Sequence, residues 1–559
     1  MIERSGETDA PARSNRATAL LLACLLLFAA VVTARAWLSD DAYITFRVAE
    51  NAVAGRGLTW NPDERVQAYT HPLWLFLLIA GRAATGELFY TTTLLGIGLS
   101  VAAVGLLAFR LPVRPTTAAL GVLILAGSRA FVDYATSGLE NPLTHLLLAL
   151  FLLVYTARPA GSRQLLTLSF LAALVALNRT DALLLVLPAL GLALWRGRSW
   201  AAWAAAALGF LPFLLWTAFS LVYYGFPFPN TAYAKLSTGI APAGLARQGM
   251  AYLVNSLRWD PITLTTIAAA LALAVASRRA TWLAAAAGIA LYLLYIVRIG
   301  GDFMSGRHLT APLFVAVAVV MMLLDGRLRS RRRQLAAVGV VVALALAGYL
   351  PVWSAGNPTG DDVRRDGDIA DERAYYWPNT GLMNRERTPH PWAKQGLELR
   401  AQGPAVIEHG NVGFLGYFAG PDVHIVDRNG LTDPLLARLP VRDPAGWRIG
   451  HFRRDVPDGY IDTLRGGRNV IADPAIAAFY DTLATITRGP LWSAERRQAI
   501  WRVNTGNGDL TGGRTGIPVG AKTVARPPAG SGQTLVSYPH LINAIDLTGF
   551  GKPVRSGEN

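Results

Sequence analysis

The chain has 559 residues, 52% of them hydrophobic and only 16% charged, with a mean hydropathy of +0.33. That is too apolar for an ordinary soluble protein of this size and marks an integral membrane protein. The net charge of +15 points away from nucleic acid, because many arginines sit in short loops between apolar runs, which is the positive-inside pattern. The single cysteine, Cys24, excludes an intrachain disulfide and a cysteine-based metal site.

Apolar runs begin near Ala17, Thr92, Thr117, Leu143, Leu165, Asp181, Trp200, Ile262, Thr281, His308 and Leu335. They predict about eleven spans of roughly 15–22 residues each. With the N-terminus cytoplasmic, the basic loops around Arg110 and Arg114, Arg158 and Arg163, Arg196 and Arg198, Arg278 and Arg279, and Arg327 to Arg333 all fall inside. The first run also has features of a signal peptide, with Arg13 and Arg16 before it and Ala34-Arg35-Ala36 after it, but its length favours a retained anchor.

Directly after that run comes Asp40-Asp41. Carboxylates are costly in hydrocarbon, so the pair belongs at the water-facing rim, where one acid suits a general base that takes a proton from an acceptor hydroxyl during sugar transfer. The other would orient it or bind the acceptor, and Asp40 is slightly favoured as the base by its earlier place. Helix N-capping is the plain alternative for either residue. The same outer loop, 36–91, supplies Arg47, Arg56, Glu64, Arg65, Tyr69 and His71, which suit either ligand contact or an interfacial belt. Pro72–Ala80 is apolar for only about nine residues and reads as an interfacial or re-entrant helix.

Further along, Ser137-Gly138-Leu139-Glu140 and Asn178-Arg179-Thr180-Asp181 interrupt apolar stretches. Glu140 and Asp181 are candidates to bind sugar hydroxyls, although charges at span ends also neutralise one another. The segments YYGFPFPNTAYAKL and GGDFMSGRH add Asn230 and Asp302 to the sugar or acceptor set, with Tyr69 and His71. They also supply Lys235, Arg307 and His308, cationic donors for a leaving phosphate, with Arg47 and Arg179 in reserve. Snorkelling to lipid head groups is the alternative for Lys235 and Arg307. Gly300-Gly301 permits close backbone approach.

After Trp353 the composition turns rich in Gly, Pro, Asp and Arg, so residues 1–353 read as a transmembrane domain and 354–559 as a soluble extracytoplasmic domain. Strand-like 405–410, a short helix over 411–418, strand-like 423–427 and β-strands at WRVN (501–504) and QTLVSYP (533–539) predict a mixed α/β or β-rich fold. Gly410, Gly413 and Gly416 lack the dinucleotide spacing, and Asp361-Asp362, His409, His424 and His451 lack metal-ligand spacing.

The run DDAYITFRVAENAVAGRGLTWNPDERVQAYTHPLW, then SGLE, LNRTD, YYGFPFPNTAYAK, GGDFMSGRHLTAPLF, GDD with DERAYY, IVDRNGLTDP and IGHFRRDVPDGYI, resembles the membrane arabinofuranosyltransferases of the actinobacterial cell wall. These belong to the polytopic C-type glycosyltransferase superfamily, and the likeness is greatest to the branch that adds terminal β-1,2-linked arabinofuranose. It covers about Trp37 to Tyr460. The resemblance implies a decaprenyl-phosphoryl-arabinofuranose donor, an envelope polysaccharide or glycolipid acceptor, a base in the acidic pair, a carbohydrate-binding tail, no metal or other cofactor, and a place in the cytoplasmic membrane. DDAYITFR and YTHPLW depart toward generic bacterial members, which leaves another lipid-linked sugar, transferred to lipopolysaccharide, a glycolipid or a protein, as the nearest alternative. A carrier or flippase for lipid-linked sugars is the non-enzymatic rival. It would place polar groups at mid-span and repeat one half in the other, and neither pattern is present in the sequence.

Overall fold

A computed structural model of the protein describes residues 14–157, 161–236, 238–355, 364–365 and 369–506. Helices come first: α1 (Asn15–Ala34), α2 (Asp40–Val53), α3 (Pro72–Thr85), α4 (Phe89–Arg110), α5 (Pro115–Gly127), α6 (Arg129–Asp133), α7 (Asn141–Thr156), α8 (Ser162–Asn178) and α9 (Leu183–Gly197). They continue with α10 (Trp200–Gly209), α11 (Leu211–Tyr223), α12 (Asn230–Leu236), α13 (Pro242–Trp259), α14 (Pro261–Ser277), α15 (Ala280–Ile299), α16 (Thr310–Leu324) and α17 (Arg331–Ala355).

Six of the described helices, some with a leading 3-10 turn, are long and apolar enough to cross a membrane, or up to eight if each of two bent pairs is one span. The pair α10–α11 bends by 46°, where Pro212 opens α11 and cannot donate back to the preceding turn. The pair α13–α14 turns by 110° at Asp260-Pro261. Four shorter apolar helices, α3, α5, α7 and α8, complete the bundle. α16 is buried along nearly its whole length and forms its centre.

The loops sort by end. Arg114 meets Asp325 at 3.2 Å, and Gln334 reaches Thr116 at 3.3 Å. Arg196 and Tyr155 both reach Thr281. The basic loops therefore gather at one end and the motif loops at the other. One expectation is corrected. The helix opening at Pro72 does not stop before Gly81-Arg82 but runs to Thr85, because Arg82 is held in the last turn by Glu50 at 2.7 Å and Gly86 ends it in a left-handed conformation.

Beyond α17 lie β1 (Arg364–Arg365), β2 (Ile369–Ala370), α18 (Glu372–Thr380), α19 (Pro391–Gln402), β3 (Ala405–His409), α20 (Phe414–Ala419), β4 (Val423–Asp427), α21 (Tyr460–Gly466), α22 (Pro474–Arg488) and α23 (Ala494–Thr505). β3 and β4 pair in parallel, Ala405 opposite Val423 and His409 opposite Asp427, with α20 as the crossover. WRVN is not a strand but the last turns of α23. Ser493 caps that helix by accepting from the Arg496 amide at 3.1 Å, and Arg496 and Ala499 lie buried at helical spacing. QTLVSYP and Asp361-Asp362 lie outside the described residues.

The C-terminal segment does not stand apart from the bundle. A single apolar core runs from Leu21 and Phe28 in α1 through Phe314 in α16 to Ile369, Phe414, Ile425 and Phe452. A second, smaller core joins Phe226 to Val426, Leu435, Tyr460 and Ile486.

Candidate active site

Residues 35–39 are pinned against the α6–α7 turn. Arg35 pairs with Asp133 at 2.8 Å, the Trp37 indole donates to the Asp133 carbonyl at 2.7 Å, and the Ser39 amide donates to Ser137 O at 2.9 Å. Ser39, not an aspartate, caps α2, accepting from the Ala42 amide at 3.3 Å. Asp40 and Asp41 are thus the first two helical residues, where the helix N-terminus favours negative charge.

The two carboxyls differ. Asp40 is 8% exposed, and its Oδ1 accepts from the Phe414 amide at 2.6 Å. Gly413 makes that approach possible, since a Cβ there would lie 2.0 Å from the Asp40 carbonyl oxygen. Burial pushes the Asp40 carboxyl up to about 7, against the opposing pull of the Phe414 and Gly413 amides. Asp41 has no hydrogen bond or ion pair among the described residues. Burial raises it as well, while Arg307 and Lys235 favour its charged form.

Across from the pair lies a network of alternating charge. Glu140 accepts from Arg179 at 2.7 Å and from Arg307 at 3.2 Å, and its second oxygen lies 3.4 Å from His71 Nδ1. Arg179 also grips Asp181 with two donors at 2.8 and 2.9 Å, and Tyr292 donates to the same carboxylate at 3.2 Å. Asp302 sits 3.3 Å from His308 Nε2 and 3.9 Å from Arg307 Nη1. The Tyr252 hydroxyl accepts from the His308 amide and donates to the Met304 carbonyl, both at 3.1 Å. Gly301, at φ 74°, lets the loop press on Tyr252, whose Cβ would be 2.5 Å from an added Cβ.

Burial opposes the charge on Glu140, but the guanidiniums of Arg307 and Arg179 hold it below the usual carboxylate range. Asp302 is likewise held low by His308, Arg307 and Lys235 despite its burial. Burial takes His71 down to about 4, so it is neutral and shares a 2.9 Å hydrogen bond with Thr45. Lys235 is exposed and carries no ion pair among the described residues.

The fold therefore brings Asp41, Asp40, His71, Glu140, Arg179, Asp181, Lys235, Asp302, Arg307 and His308 to one end of the bundle. It does not bring Arg47, Tyr69 or Asn230. Arg47 is 3% exposed, stacks on Trp60 at 4.2 Å and spends its guanidinium on the carbonyls of Trp60, Gly416 and Val423 and on Asn61 Oδ1, which turns it away from the charged network. Tyr69 is buried with its hydroxyl 2.7 Å from that of Tyr224. Asn230 donates to the carbonyls of Gly430, Leu431 and Asp433 and accepts from Arg438 at 3.0 Å. Arg47 and Asn230 fasten the first outer loop and α12 to the C-terminal segment, and Tyr69 fastens that loop to the end of α11.

Sequence reasoning missed the groups that come from far along the chain: the Phe414 amide, Tyr252, Tyr292 and Glu372. Only DERAYY, which contains Glu372, carried a signal. Among the described residues no group of three or more His, Cys, Asp or Glu side chains could hold a metal ion.

No family model matches the chain. It is 30% identical over 524 residues to a terminal β-(1→2)-arabinofuranosyltransferase of Mycobacterium tuberculosis, covering 76% of this chain and 82% of that protein. It is 26% identical over 518 residues to a protein of the same name from Corynebacterium glutamicum, covering 75% of this chain and 73% of the relative. Among solved structures it is similar to ArnT from Cupriavidus metallidurans bound to undecaprenyl phosphate, with TM-score 0.48 and 14% identity over 75% of this chain and 88% of that one. A multi-pass helical bundle that matches glycosyltransferases over three quarters of its length defines a membrane glycosyltransferase. The chain belongs to the terminal β-(1→2)-arabinofuranosyltransferase family.

Proposed function

We propose that the protein transfers arabinofuranose from a polyprenyl-phosphate donor to a cell-envelope glycan, on the outer face of the cytoplasmic membrane. Asp41 takes the proton of an acceptor hydroxyl, and the freed oxygen attacks the anomeric carbon. The carbon–oxygen bond to phosphate then breaks, and polyprenyl phosphate leaves with the electron pair. Arg307 and Lys235 face the charge that develops on that phosphate, while the Glu140–Arg179–Asp181 network holds Arg307 in place. In this reading the chemistry uses no metal.

The observation that carries the reading is the unpartnered Asp41 carboxyl facing Arg307 and Lys235 at one end of apolar helices. A base and a phosphate clamp lie together there, as transfer from a lipid-borne donor requires. The polar groups gather at that end rather than at mid-span, which disfavours a carrier. Mass spectrometry of envelope glycans from a deletion strain tests the reading. Loss of terminal pentose supports it, and loss of a hexose with the terminal pentose unchanged would move it to another lipid-linked sugar.

We read the bundle as about eleven crossings with the N-terminus inside. On a Cys24→Ala background, cysteines replacing Trp492 and Arg465 are expected to react with an impermeant reagent added to intact cells, and one replacing Arg329 to be protected. Protection at Trp492 would place the C-terminal segment, and the chemistry with it, on the wrong side.

Arg307→Ala is expected to lower kcat/KM for the lipid donor by roughly tenfold to a hundredfold, since a hydrogen bond to a charged group contributes about 1.5–3 kcal/mol. Arg307→Lys should recover only part, because it keeps the charge but loses the planar fork. Unchanged donor kinetics in the alanine variant would leave Arg307 a partner of Glu140 and nothing more.

A further inference from the structure

The short helix α18 is fastened at both ends to the two halves of the site. At its N-terminal side the Ala370 amide donates to the Phe303 carbonyl at 2.7 Å, and the Ser305 amide donates to Ala370 O at 2.9 Å, which ties it to the loop carrying Asp302 and Arg307. At its C-terminal side the Thr380 hydroxyl donates to Leu38 O at 2.7 Å, and the Leu382 amide donates to Ala36 O at 2.9 Å, two contacts with the segment leading into the aspartate pair. Tyr376 stacks on Trp37 with ring centroids 6.4 Å apart. α18 is therefore the piece of the C-terminal segment that spans from the proposed base to the proposed phosphate clamp.

Its two leading acids have different fates. Asp371 is fully engaged, paired with Arg129 at 2.6 Å, accepting from the Trp259 indole at 3.0 Å and capping the helix through the Ala374 amide at 3.0 Å. Glu372 is 8% exposed and has no hydrogen bond or ion pair among the described residues. Asp371 already caps the helix and anchors it to the bundle, so Glu372 has no structural task left. A carboxyl buried this deeply without a partner is costly unless something else binds it.

We propose that Glu372 is a third carboxyl of the active site, supplied by the C-terminal segment, which carries a proton and donates it in a hydrogen bond to a sugar hydroxyl beside Asp41. The inference rests on the transfer reading above. Burial, then the charges of Asp41 and Asp40, with Asp302 adding to them and Arg448 opposing, hold Glu372 well above the ordinary glutamate value. The Tyr134 and Tyr376 phenols also face it, and neither brings a charge at neutral pH. Burial and the neighbouring aspartates favour the protonated form of Glu372, so beside Asp41 as base it serves as a neutral hydrogen-bond donor. The sugar in reach is the acceptor, because the base must touch the acceptor hydroxyl.

The test uses the full chain in nanodiscs with a short-chain polyprenyl-phosphoryl arabinofuranose and an arabinan oligosaccharide. Glu372→Ala is expected to raise the acceptor KM by about tenfold or more while leaving the donor KM within about twofold. Glu372→Gln keeps the shape and an N–H donor, so it should retain most activity at neutral pH and lose the alkaline fall in rate that the wild type shows as Glu372 ionises. An unchanged acceptor KM in Glu372→Ala would overturn the proposal. So would a uniform loss for donor and acceptor together with a lower thermal midpoint, or a Glu372→Gln variant inactive at every pH. A wild type that transfers no sugar in this assay would instead refute the transfer reading, so the two failures are distinguishable.

Discussion

Asp41→Asn is expected to lower turnover by about 10²–10⁴, the usual contribution of a positioned general base, while the protein still inserts and folds. The amide keeps the size and polarity of the carboxylate but cannot take a proton at neutral pH. Asp40→Asn should cost less, because its side-chain oxygen can still accept from the Phe414 amide at 2.6 Å, although the negative charge beside Asp41 is gone. The base must be ionised to work, so the rate of the wild type falls as pH drops through the raised value of Asp41. The readout is single-turnover transfer at saturating donor. Near-normal turnover in Asp41→Asn would remove Asp41 from the role, and a large loss confined to Asp40→Asn would restore the preference for Asp40 drawn from its earlier place in the motif.

Glu140→Ala is expected to destabilise the fold by about 3–5 kcal/mol, the range for removing one member of a buried ion pair. Glu140 is buried between two arginines and His71, with contacts of 2.7, 3.2 and 3.4 Å. Its loss leaves Arg307 with the 3.9 Å approach to Asp302 and a 3.5 Å contact with Met304 Sδ, whereas Arg179 keeps its two-pronged grip on Asp181. Donor affinity should fall with stability, because Arg307 is then free to swing away from Asp41. The pH dependence has a definite sign. Glu140 is depressed in the folded state, so its stabilisation is fully present above the unfolded glutamate value and is lost as pH falls through the lower folded value. Thermal unfolding in nanodiscs across acidic pH checks both points. An unchanged midpoint would mean the arginines find other partners.

The membrane class, the starts of the long apolar helices and the gathering of the basic loops at one end of the bundle were legible because hydropathy and arginine placement are local signals. The β3–α20–β4 unit was legible for the same reason, being two short apolar runs around a glycine-rich turn. What stayed hidden depends on contacts between distant parts of the chain. Nothing near Arg47 in the sequence shows that its donors end on Gly416 and Val423, and nothing near Asn230 foretells the carbonyls of residues 430–433. The same holds for the difference between Asp40 and Asp41, which comes from an amide 374 positions away. WRVN misled because four residues of alternating character fit either a strand or a helix end, and the cap at Ser493 settles it. Gly413 and Gly416 drew notice for a spacing that fits no nucleotide, yet both lie against the first outer loop, Gly413 at Asp40 and Gly416 at Trp60.

The central claim is transfer of a pentose from a polyprenyl-phosphate donor to an envelope glycan. Purified protein in nanodiscs, given a synthetic short-chain polyprenyl-phosphoryl arabinofuranose and an arabinan oligosaccharide, tests it most directly, with the products weighed by mass spectrometry. The account predicts an oligosaccharide one pentose heavier, released together with an equal amount of polyprenyl phosphate, and neither product with Asp41→Asn. Extension only from a hexosyl donor, or donor breakdown with no gain on the oligosaccharide, would contradict it.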